Sequence, residues 1–318
     1  MTLPPDLRAA VEQELERVDR SRIGRAAEQI STDYKTEKFA ASLASPEARA
    51  AYLITRLPAT FASNVFVFRE IQRLVPDLQP VSLLDLGAGP GTASWAASGV
   101  WPTLSDFTLI ESNREMVEIG KRLASESPLS SAKWIAGDLR NVELPTADVV
   151  VLSYAVGELG DSTAIVQRAW TASKQLLVII EPGTPKNFQQ LAQIRRELIT
   201  SGAHLVAPCP HHNECPMWTA GDWCHFAVRL ERTSEHRRIK RGALGYEDEK
   251  FSYVAFSKQP IHKAETRIVR HPMTHSGYIR LTLCKLDGLK EQTVTRSQKD
   301  AFRAARRAKW GDEWNQFE

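Results

Sequence analysis

Two groups of residues in this chain have the types and spacing to do chemistry. The first is "LLDLGAGPGTAS", in which Asp85 is followed by Gly87, Gly89 and Gly91. Glycines at this spacing let the backbone turn sharply and approach a ligand, while the helix that follows offers its N-terminal amides. A dinucleotide fingerprint, G-x-G-x-x-G, is not met, because the position it needs after Gly89 is Thr92. Further along, Glu111 closes a predicted strand, where an acid would accept hydrogen bonds from ribose hydroxyls. Asp138, in "AGDL", stands where an adenine amine could be met. Turn, acid and Gly-Asp pair stand in register on alternating strands, which is stronger evidence for a ligand site than the glycine turn alone. The alternative is a sheet that kept the turn and lost the ligand.

The second group is "PCPHHNECPMWTAGDWC", residues 208–224, which holds three of the chain's four cysteines. Cys209, Cys215, Cys224 and Cys284 follow the spacing C-x5-C-x8-C-x59-C. Three ligands on one loop and a fourth from a distant strand would fix a metal and staple an insertion to a core. Zinc modules usually pair their ligands through C-x2-4-C knuckles, which are absent, so tetrahedral zinc is possible but not favoured. Loosely spaced thiolates followed by proline suit an iron-sulfur cluster, whose larger cage tolerates wider spacing. His211, His212 and His225 could substitute as ligands, and four unrelated buried thiols are the plain alternative. Four thiolates would leave no open position for substrate, so the site is expected to be structural.

These residues need elements to position them. The chain has 318 residues, 42% apolar and 25% charged, enough for one main domain with additions. Helical periodicity runs over 1–78, as in "LRAAVEQELERV" and "NVFVFREIQRLV". From Val81, short apolar runs alternate with amphipathic stretches: "VSLLDLG", "FTLIES", "AKWIAGD", "ADVVVLSY" and "QLLVIIEPG". That alternation predicts an α/β fold with a doubly wound, mostly parallel, seven-stranded sheet whose first five strands lie in a core over 79–203. A cysteine-rich insertion with a basic segment is expected over 204–250. Closing strands of the same sheet are expected over 251–290, and a basic C-terminal helix, with Ser297 as N-cap, over 291–318.

Charge is unevenly spread. From His225 onward there are 20 Lys+Arg against 12 Asp+Glu, a net +8 within an overall +3. Arg229, Arg232, Arg237, Arg238, Lys240 and Arg241 follow the third cysteine, and Arg267, Arg270, Arg303, Arg306, Arg307 and Lys309 add to them. This basic half is the expected face for a polyanion, with Trp310 and Trp314 available either to stack on unpaired bases or to dock the last helix. No run of 18 or more apolar residues occurs, and the first twenty residues carry acids unlike a signal or transit peptide. The expected location is therefore the cytoplasm, with no membrane partner.

The spacing D-x-G-x-G-x-G resembles the first motif of class I S-adenosylmethionine-dependent methyltransferases. Many base N-methyltransferases of that class end the fourth strand in Asn or Asp, two prolines and an aromatic residue. "VLSYAVGEL" offers Ser153, Tyr154 and Glu158 instead, so these are the catalytic candidates and cofactor binding is better supported than catalysis. More specifically, "LITRLPATFASN", "DLGAGPGTASWAA", "IIEPGTP", "CPHHNECPM", "DWCHF", "RIKRGALGYEDEKFSYVAF" and "IRLTLCKL" resemble the methyltransferase-like assembly factors of the mitochondrial small ribosomal subunit and their bacterial relatives. The resemblance covers roughly residues 50–285. It implies S-adenosylmethionine in the sheet's cleft and a [4Fe-4S] cluster on the four cysteines. It also implies a role in small-subunit assembly, which makes sense of the basic half, where Arg237, Arg238, Lys240 and Arg241 are the expected RNA contacts; the free chain is expected to be monomeric. The bacterial branch fits a cytoplasmic chain. Two rivals stand beside this reading: an active rRNA methyltransferase, and a zinc-stapled RNA-binding protein with no cofactor.

Overall fold

The computed structural model of the chain describes residues 2–36, 43–160, 162–240, 244–262 and 264–314. Four helices lead: α1 (Pro5–Leu15), α2 (Arg20–Thr36), α3 (Pro46–Thr55) and α4 (Leu57–Leu74). Ser45 caps α3, its side chain accepting the Ala48 N–H with Pro46 at the first helical position. Helix α4 is apolar on nearly every face, and eleven of its eighteen residues are buried. It lies between α5 (Thr92–Val100) and the strands β7 (Phe226–Glu231) and β8 (Tyr246–Ser257), which cover most of its surface and leave Arg69 and Arg73 to solvent.

The main sheet contains β1 (Ser82–Leu86), β2 (Asp106–Glu111), β3 (Lys133–Ala136), β4 (Ala147–Ser153), β5 (Ser173–Pro182), β6 (His204–Ala207), β7 and β8. Its order is β3-β2-β1-β4-β5-β8-β6, with β7 attached to β8. Strands β1 to β5 pair in parallel, while β8 is antiparallel to β5, β6 and β7. Central strands covered on both faces must be apolar throughout, and residues 149–152 of β4, all Val or Leu, have no exposed surface. Helices α5, α6 (Arg114–Ala124), α7 (Thr163–Ala172) and α8 (Pro185–Thr200) make the crossovers. Two large apolar clusters result, one on each face of the sheet, and the N-terminal helices supply much of the first. The doubly wound α/β expectation holds, with eight strands in place of seven because β8 is long enough to pair with β7 beyond the sheet's edge.

The closing strands differ from expectation. Tyr278–Lys285 (β11) does not join the main sheet. It forms a second, four-stranded sheet with β9 (Arg267–Ile268), β10 (Met273–Thr274) and β12 (Gly288–Thr295). The reason is packing: β8 is already flanked by β5 and β6, whereas Ile279, Leu281 and Leu283 alternate onto a separate core with Val294, Ala301, Ala305 and Trp314. Because β6 belongs to the main sheet, the inserted segment starts after Ala207 rather than at 204. It carries the short helices α9 (Pro216–Thr219) and α10 (Ser234–Lys240). The C-terminal helix is also shorter than expected, α11 covering Lys299–Ala305. Ser297 does not cap it, since its hydroxyl meets Thr295 Oγ1 at 2.7 Å and residues 288–295 are strand. No helix among the described residues is long and apolar enough to cross a membrane.

Candidate functional site

The glycine turn sits at the carboxyl end of β1, where the strand order reverses between β1 and β4, the place at which open α/β sheets form a crevice. Gly87, Gly89 and Gly91 all have left-handed backbone, with φ of 72°, 54° and 86°. At Gly87 a Cβ would stand 2.7 Å from the Ala155 Cβ, so the turn and the end of β4 can close together only without a side chain. The resulting cleft of ≈ 320 Å³ is lined by Asp85, Gly87, Gly89, Glu111, Asp138, Ser153, Tyr154 and Glu158, bringing together nearly all the residues singled out in the sequence. Gly91 stands behind it, facing Leu109 and Trp134.

Each carboxylate has a distinct task. Asp85 is 1% exposed, and its Oδ2 accepts the Ser94 N–H at 3.1 Å and the Ser94 hydroxyl at 2.8 Å, tying β1 to α5. Burial pushes its carboxyl up to about 6 against those bonds. Glu111 accepts the Gly89 N–H at 2.9 Å and the Asn113 N–H at 2.7 Å, bracing the turn and the start of α6. Asp138 pairs with Arg140, Nε to Oδ1 at 2.9 Å, which holds its carboxyl down at about 2. Glu158, at the mouth, is pushed up to about 7 by the desolvating walls and then by the charge of Glu111. Four acids against one arginine make this a cleft for a ligand carrying positive charge.

The hydroxyls are less available than the sequence suggested. Asn64 donates its Nδ2 to Ser153 Oγ at 2.9 Å. Tyr154, with the left-handed φ of 57°, donates its hydroxyl to Glu249 Oε1 at 3.0 Å. Glu249 in turn accepts two bonds from Arg56, at 3.0 and 3.2 Å. Sequence reasoning missed Arg56, Asn64 and Glu249, whose signal lay in "TRLPATFASN" and "EDEKF". Below the cleft, the buried Glu181 accepts the N–H groups of Val156 and Gly157 at 2.8 and 3.2 Å, fixing the 3₁₀ turn that carries Glu158. Burial pushes Glu181 up to about 8.

The four cysteines converge from the inserted loop and β11 on a second cavity of ≈ 50 Å³. Cys284 is buried, and all four carry free thiols. Desolvation raises the thiols of Cys215, Cys224 and Cys284 above the ordinary range, and the other cysteines of the group raise them further. Among the described residues no three His, Cys, Asp or Glu side chains form a group that could hold a single metal ion as they stand. The surroundings nonetheless suit a sulfur-rich group. Tyr253 Oη, Arg195 Nε and Arg267 Nε are buried donors without a hydrogen-bond partner, on residues that line this cavity. Arg195 braces the loop, its Nη2 donating to the carbonyls of His211 and Asn213 at 2.8 and 2.7 Å. Of the histidines, His211 Nε2 lies 3.6 Å from Cys284 Sγ, His212 accepts the Leu205 N–H, and His225 stacks on Trp223.

The basic face is largely neutralised. Arg229 pairs with Asp248, Arg232 with Glu247, Arg238 with Glu235, Arg270 with Asp222 and Arg303 with Asp300. Arg267, 3% exposed, is bound to Glu70 at 2.7 Å and belongs to the core. Arg237 lies in α10 and Lys240 ends that helix, while Arg241 falls outside the described residues. Arg306, Arg307 and Lys309 are exposed. Trp310 packs on His225 and His271, and Trp314 is 4% exposed with its indole N–H on Gln292, so both dock the C-terminal segment and neither is free to stack on a base.

The sheet order, the single reversed strand β8 between β5 and β6, and the acid-lined cleft under a glycine turn define a protein of the class I methyltransferase fold. The chain belongs to the family described as mitochondrial small ribosomal subunit Rsm22, which matches residues 46–315. It is 29% identical over 287 residues to the human ribosome assembly protein METTL17, mitochondrial, covering 82% of this chain and 61% of that one. It is 25% identical over 324 residues to Rsm22-cox11 tandem protein 2, mitochondrial, of Schizosaccharomyces pombe, covering 82% and 42%. The chain thus spans less than two thirds of either relative. Among solved structures it is similar to the plantazolicin methyltransferase BpumL in complex with SAH, with a TM-score of 0.39 and 13% identity over 78% of this chain and 99% of that one. It is also similar to precorrin-6y C5,15-methyltransferase of Geobacter metallireducens, with a TM-score of 0.40 and 14% identity over 62% and 87%.

Proposed function

We propose that this chain is a small-subunit assembly factor that binds ribosomal RNA, with S-adenosylmethionine in the switch-point cleft and an iron-sulfur cluster on Cys209, Cys215, Cys224 and Cys284. The observation that carries the reading is the cleft itself, a glycine turn closed by Ala155 and ringed by carboxylates, in a member of a small-subunit family. S-adenosylmethionine brings a sulfonium whose methyl group is electrophilic, and an acid-lined cleft attracts that positive charge. Glu111 would accept its ribose hydroxyls and Asp138 its adenine amine, while Gly87 and Gly89 allow the backbone to approach. The cluster reading is supported by four thiols around one cavity with unpartnered N–H and O–H donors beside it, because sulfide and thiolate sulfurs accept such bonds. A scaffold role, rather than methyl transfer, is favoured by the engagement of Ser153 and Tyr154 with Asn64 and Glu249.

One observation favours the rival enzyme. Glu158, raised to about 7 at the cleft mouth, is poised to accept a proton near neutral pH. Protein purified without oxygen, supplied with methyl-labelled S-adenosylmethionine and small subunits from cells lacking it, separates the two. Stable binding to the immature particle without label in the RNA is the expected result. Stoichiometric label at one nucleotide would make this chain a methyltransferase.

A further inference from the structure

A third cavity, of ≈ 350 Å³, lies away from the switch-point cleft, between α8 and the cysteine-rich loop, and shares Arg195 and Cys215 with the thiol-lined cavity. Small-ligand pockets run from about 300 to 1,000 Å³. Its walls include Trp218, Arg196, Glu214, His212, Thr200 and Ile199. Trp218 is 39% exposed, although an indole on a protein surface leaves a large apolar face in water. The short helix α9 explains how it is held there. Met217 is 2% exposed and packs with Cys284 and Phe188, Cys215 precedes the helix and accepts the Thr219 N–H at 3.2 Å, and Trp218 faces outward. The backbone that carries the ring is thus anchored on the thiol-lined core. Across the cleft, Arg196 is exposed and makes no ion pair among the described residues. Glu214, also without an ion pair among the described residues, offers carboxylate acceptors from the cysteine-rich loop that carries Trp218.

An exposed aromatic face, a guanidinium without an ion pair among the described residues and an acceptor around a cavity of this size match an unpaired nucleobase: the ring to stack, the cation for the adjoining phosphate, and the acid for an exocyclic amine. We propose that this cleft seats one unpaired base of an RNA strand against Trp218, with Arg196 on its phosphate. The proposal rests on the RNA-binding reading above. It also accounts for how RNA could be held although Arg229, Arg232 and Arg238, expected from the sequence, are already paired.

The test uses the full chain purified without oxygen and a fluorescein-labelled ten-nucleotide single-stranded RNA of mixed sequence, read by fluorescence anisotropy. Trp218→Ala should weaken binding roughly 10- to 100-fold, and Trp218→Phe should retain most of it. Arg196→Ala should weaken binding and lower the salt slope by about 0.7. If Trp218→Ala also lowers the melting temperature or the iron content, Arg196→Ala on the opposite wall carries the test alone. RNA binding by the wild type with undiminished affinity in both alanine variants would overturn this site and leave the RNA-binding reading standing. Equal loss of affinity for a blunt duplex would also overturn it, since a paired base cannot enter. Failure of the wild type to bind any RNA would overturn both.

Discussion

At the scale of single residues, the site depends on groups whose environment opposes their usual chemistry. Glu181 is 1% exposed yet accepts two backbone amides, and its carboxyl is raised from the ordinary 4.5 to about 8. A carboxyl raised on folding keeps its proton in the native state while the unfolded chain has lost it. Stability therefore falls as pH climbs from about 4.5 to about 8 and levels off above. Glu181→Gln should remove most of that fall, several kcal/mol at about 1.4 kcal/mol for each pH unit between the two values, read as melting temperature between pH 5 and 8. Asp85 and Glu158, raised in the same direction, would supply the slope that remains. Gly89→Asp makes a complementary prediction. The backbone φ of 54° is one that Asp tolerates, and an added Cβ would find Tyr52 Oη at 3.7 Å, so the sheet should fold. The new carboxylate would stand beside Glu111 and fill the ligand's path. The thermal shift given by S-adenosylmethionine should vanish, and a shift of unchanged size would remove the cofactor from this cleft.

At the scale of elements, the loop between β6 and β7 is tied to both sheets, for example by Ser252 of β8 donating to the Cys224 carbonyl at 2.8 Å. The loop between β6 and β7 meets β11 through Cys284, and Arg195 of α8 braces it from below. Metal binding and local folding are coupled when ligands come from separate elements. Cys215→Ser should therefore lower both iron content and melting temperature, because it precedes α9 and lies between the other two loop cysteines. A variant with unchanged iron and unchanged melting would sink the cluster assignment. The second sheet also defines what the last part of the chain is for. It presents Cys284 on one face and buries Ile279, Leu281 and Leu283 on the other, so it is both a wall of the thiol cavity and a core in its own right.

At the scale of the whole molecule, the +8 of the second half does not translate into a broad free basic face, because so many of its arginines are engaged by acids. Pairs at this exposure contribute little to stability, but they do take the cation out of play for phosphate. Arg306→Glu with Arg307→Glu should lower affinity for small-subunit RNA and reduce the dependence of binding on salt. Arg229→Ala, which breaks an existing pair with Asp248, should leave both nearly unchanged. Filter binding across a range of salt concentrations would decide, and equal effects from the two variants would show that the pairs open on RNA.

The sequence by itself determined the α/β class, the glycine turn, the acids that follow it and the cysteines that belong together, because these depend on local periodicity and on residue types with few alternative uses. Tyr278–Lys285 shows where such reading stops: its alternation marks a strand, but which sheet it joins depends on an edge already occupied by β6. The same holds for Ser153 and Tyr154, whose partners Asn64 and Glu249 lie 89 and 95 residues away. Pairing of arginines, engagement of hydroxyls and the outward face of Trp218 were decided only by the tertiary structure, since each depends on what the rest of the chain brings within hydrogen-bonding or packing distance.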